Sequence, residues 1–465
     1  MAIVKHFCSK LTTLLAIRYW LLVKKQKANS QQPTANSSLS SLVLAIFILA
    51  LAAMTAPSPA QNLISFPVGE SWLFPDARTL GLAGGGSVSN SSLSALLLNP
   101  AAMAMNKPGV ELMASSRGRS LQERRSFPLF DRFEDINALN TYVVNTNLFW
   151  SFQGGAQYNF GKPPIPYLKS LAVGVFNEVD QEYQYVEEVR ENVFPDDPLA
   201  FNAIQFSGKL TRISGGAAFQ VNRLNLGVQA GVLTGNLDQR ASVTFVDEKD
   251  ENLSQSTTRS KSNTPIVASL GATYMVTPHF HLGSHFRLPY TIEYAVTAIA
   301  EETVTTSESI KYPGQLTVGF EYRGQQSLKA RLNADFTYEW WSNTEASLVG
   351  SNLISGNSTT TRLEDAIQIK AGIEHIFFNQ VPFQVGIQYR TLFQERGNTR
   401  LMFTAGTGFR GKLWEVGLAG GISKNNYFYP DLFDDSIYGG DRSDNDIDDV
   451  EEIYTFLMLT LKIGI

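Results

Sequence analysis

Between Leu328 and Trp340 the chain reads LKARLNADFTYEW, and every second residue is apolar. Leu328, Ala330, Leu332, Ala334, Phe336, Tyr338 and Trp340 fall on one face, and Lys329, Arg331, Asn333, Asp335, Thr337 and Glu339 on the other. A period of two belongs to a β-strand, whose successive side chains point to opposite faces. The pattern returns in Phe383–Phe393, Leu316–Arg323, Ile367–Glu374, Leu224–Val232 and Leu413–Ile422, and 280–290 places His281, Gly283, His285 and Arg287 on the polar side. These stretches run to roughly 10–15 residues, where strands of soluble sheets average about 5–6. That length suits a tilted crossing of a bilayer. A long strand with an apolar outer face and a polar inner one is satisfied in lipid only if the sheet closes on itself.

The connections support closure. Short ones fall near 162–167, 221–223, 277–278, 323–327, 379–380 and 410–411, and long polar ones near 117–144, 181–202, 239–261, 296–310, 342–361 and 425–451. Short periplasmic turns alternating with long outer loops mark outer-membrane barrels. The expected strands are 109–117, 145–160, 168–180, 203–219, 224–238, 264–276, 280–295, 311–323, 327–342, 362–377, 382–395, 399–409, 412–425 and 452–465. They make an all-β transmembrane antiparallel barrel of about 14 strands over 109–465, with both termini on the periplasmic side. Phe149, Trp150, Tyr158, Phe160, Tyr338, Trp340, Trp341, Phe377 and Phe378 suit interfacial girdles. Inward charges such as Lys329, Arg331, Asp335, Glu339, Lys370, Glu374 and Arg390 would pair with a plug.

The apolar run Ser41–Met54 is short for a spanning helix, and Ser58 and Ala60 fit a signal-peptidase site. Residues 1–60 are therefore expected to be an N-terminal extension and signal peptide, cleaved near Ala60. Cys8 is the one cysteine, so the exported chain would have neither disulfide nor thiolate chemistry. A net charge of −5 gives no reason to expect a nucleic-acid partner.

One stretch departs from alternation. Ala77–Ala104 (ARTLGLAGGGSVSNSSLSALLLNPAAMA) has the glycines Gly81, Gly84, Gly85 and Gly86, then a short apolar run ended by Asn99-Pro100-Ala101. Proline disfavours helix in the residue before it, so Asn99 is a stop. The stretch is too apolar for a free tail and too short for a domain. Within 61–108, read as a periplasmic N-terminal segment and luminal hatch, it would enter the barrel from below.

No site for chemistry emerges. Gly84–Gly86 lacks the Lys-Ser/Thr of a P-loop and reads as a tight turn. His279, His281 and His285 have no carboxylate or cysteine pattern around them and read as lumen or turn residues. No nucleophile is nominated, and no enzyme or cofactor is expected. In the acidic stretch Asp431–Glu452, Asp444, Asp446 and Asp448 resemble the start of a calcium loop, but Asp449 stands where that loop needs glycine. The stretch reads as an outer loop. Arg117, Arg119, Arg124 and Arg125, in the first outer loop, would pair with it or meet lipid phosphates.

The chain resembles the long-chain fatty-acid transporter family of outer-membrane barrels (FadL- or TodX-like) and the related PorV-type barrels. The resemblance rests on Ala77–Gly86 followed by Ser94-Ala-Leu-Leu-Leu-Asn-Pro-Ala-Ala102. It implies that Asn99, Pro100 and Ala101 end a hatch inside the barrel. Two departures stand out: Ser91-Ser92 and Leu96–Leu98 occupy positions where the family often has acidic and aromatic residues, and the sequence ends in Lys462-Ile-Gly-Ile465 without a terminal aromatic. The resemblance implies passive uptake of a hydrophobic small molecule such as a long-chain fatty acid or aromatic hydrocarbon, in contact with outer-membrane lipid, lipopolysaccharide and the barrel-assembly machinery. The alternative is a PorV-like component of a protein secretion system.

Overall fold

The computed structural model describes residues 68–69, 71–89, 92–130, 132–133, 136–190, 197–247, 250–300, 303–324, 330–347, 360–393, 398–439 and 447–464. All lie in the compact unit Pro57–Ile465. The expected signal peptide, Cys8, Asp444 and Asp446 fall outside the described residues.

In chain order the strands are β1 (Gly109–Phe130), β2 (Ile136–Asn159), β3 (Leu168–Asp180), β4 (Tyr183–Val189), β5 (Ala200–Val221), β6 (Leu224–Thr234), β7 (Leu237–Phe245), β8 (Leu253–Lys261), β9 (Ile266–Thr277), β10 (Phe280–Arg287), β11 (Tyr290–Ile299), β12 (Thr303–Tyr312), β13 (Gln315–Arg323), β14 (Ala330–Glu339), β15 (Glu345–Ser347), β16 (Thr360–Arg362), β17 (Ala366–Phe377), β18 (Val381–Thr391), β19 (Thr399–Arg410), β20 (Trp414–Pro430) and β21 (Ile447–Gly464). A closed antiparallel barrel of 14 strands uses β1, β2, β3, β5, β6, β9, β10, β13, β14 and β17 to β21. It closes where β21 pairs with β1, with Leu112 opposite Ile463.

The alternation has the expected sense in these strands. Phe336, Ile369, Val385, Ile387, Leu459 and Leu461 point outward and are exposed, and Asn333, Asp335, Thr337, Glu374, Gln384 and Gln388 are buried inside. The bare apolar outer wall belongs in lipid. Tyr158 with Phe160, Phe280 with Phe320, and Phe409 with Trp414 form aromatic pairs at the short-turn rim. Two residues expected in the girdles are elsewhere. Trp341 is buried, stacked on Phe393 at 4.2 Å, and Phe149 lies under the Arg119 guanidinium on the inner side.

The long connections are not loops. β1 runs through Phe130, so most of 117–144 is a strand hairpin, most of 239–261 and 296–310 is strand as well, and strands β4, β5, β20 and β21 extend into 181–202 and 425–451. From β3 round to β17 every strand but β5, which runs through, is broken at one level: at 181–182, at Gly235-Asn236, at 262–265, at Leu288-Pro289, at Pro313-Gly314, at the 3-10 turn Trp341–Asn343 and at 363–365. Proline cannot donate to the ladder, which places Pro265, Pro289 and Pro313 at breaks. Beyond this level β4, β5, β7, β8, β11, β12, β15 and β16 continue as a second sheet.

The polarity of the wall inverts across the breaks. Above them Gln184, Glu188, Asp238, Arg240, Thr258, Ser260, Glu293 and Lys311 face outward. Tyr183, Tyr185, Ile204, Phe206, Val243, Ile292, Tyr294, Val296 and Ile310 are buried inside. The lower wall is thus built for lipid and the upper wall for water, and the upper interior is rich in aromatic and aliphatic side chains around the buried Arg259–Glu308 pair.

Candidate functional site

The segment before β1 fills the lumen. Asp76 caps the short helix α1 (Ala77–Gly81): its Oδ1 accepts from the Thr79 amide at 2.7 Å and the Thr79 hydroxyl at 2.6 Å. Its Oδ2 lies 2.5 Å from the Lys462 ammonium. Burial alone would raise the Asp76 carboxyl, but the Lys462 charge and the bonds from Lys462, Thr79 and Ser94 hold it well below the usual carboxylate range. A carboxylate with a depressed folded pKa stabilises fully above its unfolded value near pH ~4, and that stabilisation is lost only as pH falls further. Amide protection factors across Ala77–Leu82 should therefore stay constant from about pH 8 to 5 and fall below about pH 4. Loosening already between pH 7 and 5 would contradict this assignment.

On the same helix Arg78 donates from Nε and Nη2 to the two oxygens of Glu374, both at 2.9 Å. Arg331, Arg410 and Gln384 also approach Glu374. This is the network of inward charges that the alternation pattern led us to expect around a plug.

After α1 the chain makes the glycine turn. Gly81 ends the helix, and Ala83, Gly84 and Gly86 have φ of 54°, 79° and 99°. Positive φ is free of steric cost only at glycine, which accounts for Gly84 and Gly86. The turn presents the Gly86 and Ser87 amides to Asp335 Oδ2 at 2.8 and 3.0 Å, while the Ser87 hydroxyl donates to Oδ1 at 2.6 Å. Gly85 lies beside Asp335 and Lys370.

A second short helix, α2 (Ala95–Leu98), stops at Asn99, and a 3-10 helix Pro100–Met105 leads to β1. Asn99 caps that 3-10 helix: its Oδ1 accepts from the Ala101 amide at 3.2 Å, and its Nδ2 donates to the carbonyls of Ala272 and Ser284 at 3.3 and 3.2 Å. The seat beneath is glycine. A Cβ on Gly227 would stand 2.2 Å from the Ala101 nitrogen, and one on Gly271 2.0 Å from Asn99 Oδ1. Gly386 receives Leu82 and Ala83 in the same way. The motif residues are thus brought against the inner face of the barrel at two places, Gly81, Gly84, Gly85 and Gly86 along β14 and β17 to β19, and Asn99, Pro100 and Ala101 along β6, β9 and β10. The wall residues that receive them were missed by the sequence analysis. Their trace was a lumen-facing glycine in strand after strand, with Gly227 opposite Gly271, Gly283 opposite Gly319 and Gly372 opposite Gly386.

Upstream of Asp76 the segment does not lead toward the short turns. It climbs to the level of the breaks, where the Val68 carbonyl accepts from the Tyr312 hydroxyl at 2.6 Å. There Trp72 packs 4.8 Å from Phe456 and 5.4 Å from Tyr454, with the Arg400 guanidinium 5.0 Å over its ring. Arg117 Nη1 donates to the Trp72 carbonyl at 2.6 Å, and Gln153 to that of Phe74. Val68 joins Tyr290, Tyr294, Tyr312, Trp341 and Phe393 in a second cluster. Between the clusters a cavity of about 40 Å³ remains, bordered by Trp72, Phe74, Tyr290, Trp341, Lys370 and Arg390. That is room for a water molecule and too little for an organic ligand. The chamber is rich in aromatic rings, with Lys370, Arg390 and Glu339 at its edge, and the segment carrying Trp72 and Phe74 occupies it.

The arginines expected in an outer loop are on β1. Arg117, Arg119 and Arg125 face inward and are buried, with Arg119 2.9 Å from Asp180 and Arg125 2.6 Å from Glu123. Pairing with the acidic stretch does occur, through Arg124 with Glu451 at 3.1 Å and Arg125 with Asp448 at 3.6 Å. Asp448 is in β21 and accepts from the Tyr142 hydroxyl at 2.5 Å, so it is an inward strand residue and not part of a loop. His281 and His285 are buried on the lumen side, and His279 sits at the β9–β10 turn.

The fold and its filled lumen define a plugged transmembrane β-barrel. No family model matches the sequence, and no curated protein is similar to it in sequence. Among solved structures the fold is that of a FadL homologue from Pseudomonas aeruginosa (12% identity, 85% of this chain and 99% of that one, TM-score 0.59). The toluene transporter TodX of P. putida (12%, 84% and 98%, TM-score 0.56) and TbuX of Ralstonia pickettii (15%, 84% and 98%, TM-score 0.51) share it. The resemblance to FadL- and TodX-type barrels therefore holds at the level of the whole fold.

Proposed function

We propose that this chain is an outer-membrane transport protein for passive passage of hydrophobic small molecules, long-chain fatty acids or aromatic hydrocarbons among them. The observation that carries the reading is the polarity inversion: an aromatic-lined chamber stands above a polar lumen sealed by the chain's own segment. An open aqueous pore has no use for such a chamber, and neither does a barrel whose lumen plays no part. In this reading Gly81–Ala101 is the hatch, and the tip carrying Val68, Trp72 and Phe74 holds the place of the ligand until displaced. The transporters of similar fold act on hydrocarbons of this class, which supports the reading without naming the substrate. The chain would be exported with its leader removed near Ala60, assembled by the barrel machinery and surrounded by lipid and lipopolysaccharide.

Trp72 competes with ligand for the chamber, so Trp72→Ala should tighten binding. Truncating a buried aromatic weakens its docking by about 3–5 kcal/mol, and a site freed from its own occupant gains affinity accordingly. Calorimetry with oleate and with toluene on detergent-purified protein should show saturable binding, at least about tenfold tighter in the variant. No saturable binding of either ligand by either protein would sink the transport reading.

A further inference from the structure

A larger cavity, of about 420 Å³, opens at the short-turn end of the barrel. Its size falls in the range of small-molecule sites, about 300–1,000 Å³. Lys107, Arg223, Arg323 and Arg331 line it, and no carboxylate does. A further lining group is held inward without a partner: the Nε2 of His281, whose residue is 5% exposed. Buried polar atoms are rarely left unpaired, so an unpaired ring nitrogen beside a cavity lined by four cations points to a ligand that completes it.

The charge balance is one-sided. Glu321, fully buried on the inner face of the wall, is shared by Arg323 at 2.7 Å, Arg331 at 3.8 Å and His281 at 3.9 Å, and Arg331 also lies 3.9 Å from Glu374. Glu111 accepts from the Leu93 amide and from Asn106 at 2.9 and 3.3 Å. Lys107 and Arg223 form no ion pair among the described residues, and the one hydrogen bond of the Arg223 side chain goes to the Val276 carbonyl at 3.4 Å. Met105 and Met275 supply an apolar flank, and thioether side chains adapt to an alkyl chain of any shape.

We propose that this mouth is a binding site for the carboxylate head of an amphiphile, with the first methylenes against the two methionines. Arg323 and Arg331 supply charge at the wall, Lys107 and Arg223 supply it at the rim, and His281 provides a nitrogen inside. Its place as the exit of a transport path rests on the function proposed above; the site itself rests on its own lining.

The test is photolabelling of the detergent-purified full chain with octanoate bearing a diazirine close to its carboxylate, read by peptide mass spectrometry. Labels are expected on Met105–Lys107 and Met275–His281. Lys107→Gln with Arg223→Gln, chosen because both side chains have few contacts, should reduce the labelling at least tenfold while the heat-modified gel mobility stays that of the folded barrel. The uncharged octanamide analogue should label weakly. Equal labelling by the amide, labelling unchanged in the double variant, or displacement by inorganic phosphate as effective as by octanoate would overturn the proposal; the last would make the mouth a general anion site. In detergent the probe reaches the mouth directly, so absent labelling counts against the site alone. Absent binding in the Trp72 experiment counts against transport alone.

Discussion

Glu374→Ala is expected to unseat the luminal segment while leaving the barrel closed. The Glu374 carboxylate is completely buried and takes both donors of Arg78, with Arg410 3.5 Å and Arg331 3.9 Å away. Without it three guanidinium groups face one another inside the wall. Removing one member of a buried ion pair costs about 3–5 kcal/mol, because the partner's charge is left without compensation. The strand ladder does not depend on the pair: Glu374 stands between Arg331 and Gln384 in register through its backbone, which alanine keeps. The loss should appear as trypsin cleavage after Arg78 and as swelling of protein-bearing liposomes in a small sugar. Arg78→Leu together with Glu374→Leu should recover part of the seating, since replacing a buried pair by apolar groups is often near neutral. Wild-type protease resistance and impermeability in Glu374→Ala would show that the ion pair does not hold the segment.

The glycine seat leads to an equally large effect by another route. A Cβ at Gly386 would lie 2.6 Å from the Leu82 carbonyl carbon and 2.7 Å from the Ala83 nitrogen, and one at Gly227 2.3 Å from the Pro100 carbonyl carbon. The obstructing atoms are backbone, so no side chain can rotate away. Either the segment lifts or the wall deforms, and overpacking of this kind costs about 1–3 kcal/mol or more. Gly227→Ala with Gly386→Ala should yield a heat-modifiable barrel that leaks, with faster hydrogen exchange across Leu82–Ser89 and Asn99–Ala102. Gly215→Ala is the control, because its nearest neighbour would be 3.7 Å away. Equal leak in the control, or none in the double variant, would remove the seat from the account.

The strands were legible wherever the outer face is apolar, and this is why β9, β13, β14 and β17 to β19 fall close to their expected limits, whereas the strand expected at 280–295 is broken after Arg287. The same criterion failed above the breaks. In β7, Asp238 and Arg240 face out while Leu237, Ala241 and Val243 face in, so the period of two persists with its polarity reversed. A search for an apolar outer face reads such a stretch as loop. Arg117, Arg119 and Arg125 were misplaced for that reason: once 117–144 is read as loop, nothing marks them as inward residues of β1. Trp341 was assigned to a girdle as an aromatic at a strand end, although the 3-10 turn that carries it points the ring at Phe393.

The motif of the luminal segment was readable because its signals are local. Positive φ needs Gly84 and Gly86, and a proline at 100 stops the helix at Asn99. What the motif rests against was not readable, because Gly386 and Asp335 stand roughly 300 and 250 residues further along the chain and a lumen-facing glycine looks like any strand glycine. By itself, then, the sequence determined that this chain closes into a transmembrane barrel with something inside it, since a period of two and a strand length are properties of consecutive residues. Only the tertiary structure decided where the wall changes polarity, that the tip of the segment occupies the chamber so formed, and which charges lock it there. Those are contacts between residues far apart in the chain, and no local period encodes them.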